Sequence, residues 1–273
     1  MRRKSRDILA ISEAELVRLT SDMDEMHRAT LPGMRAAVDE WAERLRDQAA
    51  DLGRARTSRR RFLIGGGAAV GTVALVACSS GVDPIDDPGG LGNPTPTDVP
   101  GADAPPVGDF GVAASAASLE NLAVATYQGG IDAAGAGKLG GVPPAVSTFA
   151  TTAKAHHTDH AAAWNSVLTN SARLPVTGVN QTVKSSVVDP AFAQVTDVAG
   201  LARLALLLEN AAAATYLRDI GTIVNRNALK IAASIQPVEM QHAAILNFVL
   251  GQYPVPDVFA KTDGARPVDD QIG

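Results

Sequence analysis

Three glutamates and four histidines follow residue 78 of this 273-residue chain: Glu120, Glu209 and Glu239, with His156, His157, His160 and His242. Each falls in an alanine-rich stretch patterned for helix, and six of the seven lie in phase with Ala, Leu, Val and Ile. An ionised carboxylate in such an apolar face is very costly unless it is paired, protonated or bound to a cation. Lys154, Arg203 and Arg218 do not share these stripes, so a cation fits better than an ion pair. Residues i and i+3 share a helix face, so Glu239-x-x-His242 directs a carboxylate and an imidazole at one point, and His157-x-x-His160 directs two imidazoles. Glu120 and Glu209 each add one carboxylate from another helix. Glutamates from two helices, with Glu-x-x-His from two more, are the recipe for a dinuclear metal centre. His156 points off the stripe and reads as a structural helix histidine. Tyr127 and Tyr216 each lie seven residues beyond a glutamate. They could hydrogen-bond a ligand or carry a one-electron step, and a core tyrosine with a buried hydroxyl partner is the other reading. Asn165 and Asn247 each follow a histidine by five residues and could hold helices in register.

These residues recur. LENLAVATY (119–127) returns as LENAAAATY (208–216) at an offset of 89, and HTDHAAAWNSVL (157–168) aligns with EMQHAAILNFVL (239–250) at an offset of 82. The order suggests a helix pair duplicated in tandem. The apolar pattern predicts four helices, at about 109–134, 143–170, 196–223 and 226–251. Proline suits the start of the second. Pro237 costs the fourth its bond to the Ala233 carbonyl and predicts a kink just before Glu239. A long link (171–195) joins the pairs, which selects an all-α four-helix bundle with one long crossover.

The rest of the chain has a different character. Residues 1–57 are charged, and before Cys78 there are 14 Lys+Arg against 11 Asp+Glu. From Cys78 onward the balance is 10 against 18, with nine aromatic residues. That acidic part offers no basic groove or stacking platform, so nucleic acid is not an expected partner. In 1–57, Leu16, Leu19, Met23 and Met26 form one apolar stripe, and Met34, Val38, Trp41 and Leu45 another. Ser12 with Glu15 reads as a capping box, and Leu31-Pro32-Gly33 as a break, giving a short helical hairpin that stays cytoplasmic and is removed with the signal. A translation start at Met34 is the alternative. Residues 58–77 open with SRRRFL and continue as an uncharged run, which resembles a twin-arginine signal through Arg59 and Arg60. The run ends in LVAC (75–78), which resembles a lipobox and implies lipidation of Cys78 after cleavage before it. The sole cysteine being so used, no internal disulfide is expected. Residues 78–108 are rich in Pro, Gly and Asp and read as a flexible tether; 109–253 form the bundle and 254–273 a tail. No nucleophile–base constellation stands out, and the Gly-rich stretch 129–141 matches no phosphate loop.

The segments SLENLAVATY (118–127), AHHTDHAAAW (155–164), LLENAAAATYL (207–217) and VEMQHAAIL (238–246) resemble the ferritin-like domain family typical of exported bacterial and desiccation-related proteins. The resemblance implies that Glu120, His160, Glu209, Glu239 and His242 take five ligand places around two iron ions. His157 takes the sixth, where the family has a glutamate. That exchange removes one negative charge and one bridging oxygen and moves the site toward metals that favour nitrogen, leaving manganese and zinc open. The implied activity is iron redox chemistry with oxygen or peroxide, of ferroxidase or peroxidase type. Metal buffering without turnover and a stress-protective structural bundle are the alternatives. Expected partners are the twin-arginine export machinery and, through the lipid, the membrane. The expected place is the outer face of the bacterial cytoplasmic membrane, as a monomer or small homo-oligomer rather than a cage.

Overall fold

A computed structural model of the chain describes residues 9–65, 108–257 and 259–268. Two compact units divide the chain, one of residues 1–42 with 105–273 and the other of 43–104. The architecture is all-helical, with no strand among the described residues. Helix α1 spans Glu13–Gly65, α2 Asp109–Gly135 and α3 Pro144–Asn170. The crossover carries the short α4 (Gln181–Val183), a π-helical turn (Lys184–Val188) and α5 (Asp189–Phe192). Helices α6 (Val198–Ile220) and α7 (Arg226–Val249) complete the bundle.

Local chemistry sets these elements. Alanine-rich runs favour helix, and α3 begins on Pro144, whose missing N–H would have had no partner there. The Asp197 carboxylate accepts from the Gly200 N–H to cap α6, and the Asn225 side chain accepts from the Asn227 and Ala228 N–H groups to cap α7. Helices α2 and α3 pack as one pair and α6 and α7 as the other, while α2 also meets α6 and α3 meets α7. At Gly130 the α2 backbone comes so close to α6 that a Cβ would stand 2.9 Å from the Leu201 methyls. The crossover is more ordered than a plain link. Asn180 donates from its backbone to the Ser118 carbonyl, Asn121 donates to the carbonyls of Val176 and Gly178, and Val183 and Val188 pack on Leu122.

The N-terminal segment departs from the expected hairpin. Helix α1 passes through Pro32 without a break, and its part within the bundle's unit lies against the four helices as a fifth. Leu16 and Met23 are fully buried in the same core as Tyr127, Phe149 and Leu246. Ala10 donates to the Val249 carbonyl at the end of α7, whereas Glu40 pairs with Lys230 and Trp41 stacks on Phe110. A proline inside a helix costs one backbone bond and about 3 kcal/mol. Apolar burial on both sides of it offsets that cost, because Leu16 and Met23 before Pro32 and Met34, Val38 and Trp41 after it are all buried. Met26, assigned to the apolar stripe above, is half-exposed instead, and His27 takes the buried place. Helix α7 likewise continues through Pro237.

Candidate metal centre

Helical phase carries all six sequence-selected ligands to the middle of the bundle. Glu120 comes from α2, His157 and His160 from α3, Glu209 from α6, and Glu239 and His242 from α7. None is more than 3% exposed. They form two overlapping groups, Glu120–His157–His160–Glu239 and His157–Glu209–Glu239–His242, with the possible ligand atoms of each within 4.8 Å of one another. His157 and Glu239 belong to both groups. Among the described residues, the ion-pair partners of Glu120, Glu209 and Glu239 are all histidines.

His157 sits between the outer carboxylates, its Nδ1 2.7 Å from Glu120 Oε2 and its Nε2 3.2 Å from Glu209 Oε1. His242 Nδ1 faces Glu209 Oε2 at 3.2 Å and Glu239 Oε2 at 3.4 Å. His160 Nδ1 lies 2.9 Å from Glu239 Oε1. Yet both ring nitrogens of His160 and both oxygens of Glu239 lack an aligned hydrogen-bond partner. Orphaned buried groups of this kind are costly, and a carboxylate beside an imidazole is a donor set that suits a cation. The residues present therefore fit a metal.

Charge coupling within the cluster is strong. Burial pushes the Glu120 carboxyl up, but the nearby His160 charge and the His157 imidazole bonded to it outweigh that and hold it at about 2. Burial likewise pushes His160 down, but Glu120 and Glu239 raise it to about 9. Burial opposes charging of His157 and His242 too, and the surrounding glutamates still raise both. Glu209 is held well below the carboxylate range against its burial, by His242 and His157. Without a metal, three carboxylates thus face three imidazoles that favour protonation.

The tyrosines reach across the bundle rather than serving their own helix. Tyr127 of α2 donates to Glu209 Oε1 of α6, and Tyr216 of α6 donates to Glu120 Oε1 of α2 at 2.5 Å. Trp164 Nε1 in turn donates to the Tyr216 hydroxyl at 2.9 Å. Burial and the adjacent glutamates raise both phenols well above their ordinary value. Asn165 and Asn247 hold loops rather than helices, donating to the carbonyls of Val176 and Pro254. The tail returns to α6 near the centre, where Arg266 donates from its backbone to Thr215 Oγ1. A cavity of about 50 Å³ beside the centre is lined by Glu120, His157, Glu209, Tyr216 and Arg266 among others.

His156, read from the sequence as a structural histidine, lies outside both groups. It is buried, with Nδ1 3.0 Å from His242 Nε2 and Nε2 3.3 Å from Asp24 Oδ1 of α1. His27 of α1 stacks on its ring at 3.9 Å between centroids and reaches Asp159 Oδ2 at 3.3 Å. Burial and the facing imidazoles keep His156 at about 2 and His27 at about 4. Sequence reasoning missed Asp24, His27 and Asp159. The available signal was phase, since His27 falls seven residues before Met34 and four after Met23 on the buried stripe. The side chains of Arg59 and Arg60, and all of Cys78, lie outside the described residues.

No curated protein and no solved structure gives a match. Residues 108–252, more than half of the 273, match the sequence model of the ferritin-like domain, and that stretch contains all six clustered residues. The chain belongs to the ferritin-like domain family.

Proposed function

We propose that this protein holds a dinuclear metal centre, with iron as its working metal, and reacts with dioxygen or peroxide while tethered outside the cytoplasmic membrane by a lipid on Cys78. The observation that carries the metal reading is the buried pair of overlapping four-residue groups, in which His160 and Glu239 lack hydrogen-bond partners. Glu120 and His160 would hold one ion, Glu209 and His242 the other, and Glu239 would reach both. Iron would supply the one-electron chemistry. The chain's own part is to exclude bulk water from the centre, to fix Glu209 and Glu120 through Tyr127 and Tyr216, and to leave beside it a cavity the size of a small oxidant. The anchoring and export rest on SRRRFL (58–63) and LVAC (75–78) alone. Elemental analysis of the protein matured in a host with a twin-arginine pathway, followed by ferrous oxidation in step with peroxide consumption, tests the redox reading. An iron-loaded protein that leaves peroxide untouched sinks it.

A second reading has its own observation. His157 bridges Glu120 and Glu209 through both ring nitrogens, so imidazolium could neutralise the carboxylates without a metal. The bundle would then be structural, and its melting temperature would not respond to chelator or to added metal.

A further inference from the structure

We infer that the two ion positions are unequal, and that the N-terminal helix makes them so, with Asp24 acting through His156 to fix the His242 imidazole. This rests on the metal-binding reading above and concerns the chain before cleavage at Cys78, in which Asp24 of α1 packs on the bundle. His156 Nε2 faces the Asp24 carboxylate at 3.3 Å, so that nitrogen carries the proton and Nδ1 is left to accept. His242 Nε2, 3.0 Å from His156 Nδ1, is then the donor. Its Nδ1 is thereby the nitrogen that would give its lone pair to a metal, in the space beside Glu209 and Glu239, in place of the proton it shares with Glu209 when no metal is bound. A carboxylate–imidazole–imidazole chain of this kind fixes the tautomer of a ligand and raises its basicity. His27, stacked on His156 and bonded to Asp159, closes the chain off from one side, and Arg28 holds the outer oxygen of Asp24 at 2.6 Å.

The other position has no such support. The 82-residue repeat maps His242 onto His160 and His156 onto Val238. Val238 is apolar and buried, and His160 Nε2 has no hydrogen-bond partner. The ion held by Glu209 and His242 therefore binds more tightly than the ion held by Glu120 and His160. Asp24 is a positioning residue for that tighter ion alone.

Cobalt(II) is the probe, added to the metal-free full chain and followed by visible absorption, then withdrawn by a competing chelator. Wild type is expected to release it in two steps. Asp24→Ala should weaken the tighter step about 10- to 100-fold and leave the looser one in place, and Asp24→Asn, whose amide oxygen still accepts from His156, should recover part of the loss. Leu16→Ala serves as the control, because it loosens the same helix without touching the chain; it should lower the metal-free melting temperature while keeping both steps apart. Indistinguishable steps in wild type overturn the inference, as do equal losses at both positions, no loss in Asp24→Ala, or the same cobalt loss in Leu16→Ala. Wild type that takes up no cobalt overturns the metal centre itself.

Discussion

The two halves of the bundle share a geometry and differ in chemistry. Helices α2 and α6 each place a glutamate in the core and send a tyrosine across to the other's glutamate. Helices α3 and α7 are less alike. The position that carries Glu239 in α7 carries His157 in α3, Trp164 answers to Leu246, and His156 answers to Val238. One half supplies the shared carboxylate, and the other supplies an imidazole plus a polar chain to α1. The repeat keeps where side chains point, because helical phase and the packing of α2 on α3 and α6 on α7 fix it. It does not keep which atoms they present.

The largest test of this asymmetry is removal of the shared carboxylate. Glu239→Ala is expected to abolish stoichiometric metal and to cost about 3–5 kcal/mol, the usual penalty for breaking a buried charge pair; elemental analysis and denaturant unfolding read the two effects. Next comes the substitution that would make the halves equal. His157→Glu adds a buried carboxylate and removes an imidazole, so the metal-free protein should lose several kcal/mol. Its metal-loaded form should gain preference for iron over zinc, measured by competition between the two ions.

Titration provides a milder perturbation. The His160 imidazole is raised from 6.5 to about 9, so its stabilisation is fully present below pH 6.5 and disappears as pH rises through 9. Metal-free protein should therefore lose melting temperature across that window, while metal-loaded protein, whose ligands are already deprotonated, should hold steady. Metal uptake at pH 7 should release protons into a weakly buffered solution, which a pH electrode detects.

The smallest effect separates the tyrosines. Tyr127→Phe and Tyr216→Phe each remove one bond to a carboxylate, about 1.5–3 kcal/mol. Tyr216→Phe also strands the Trp164 indole N–H, so it should be the more destabilising by about 1 kcal/mol or more. Equal losses would mean that the Trp164 bond contributes nothing.

Much of this was legible from residue types and phase. An i, i+3 pair on an apolar stripe can aim only inward, so Glu239 with His242 and His157 with His160 were readable as a cluster before any fold was known. What phase along one helix cannot give is the partner on another. The crossed tyrosines depend on how α2 faces α6, and His156 gains its role from a helix more than a hundred residues earlier. The break expected at Pro32 failed for a related reason, since local propensity argued for a turn and tertiary burial of Leu16, Met23, Met34 and Trp41 prevailed. The order in the crossover depends on Asn121 and Ser118 of a distant helix.

The central claim is that cations, not protons, neutralise the three buried glutamates in the working protein. Anomalous scattering from crystals of the protein matured in a host with a twin-arginine pathway tests it directly. The account predicts two peaks, one among Glu120, His157, His160 and Glu239 and the other among His157, Glu209, Glu239 and His242. A centre without anomalous signal, with His157 still clasped between Glu120 and Glu209, would contradict it.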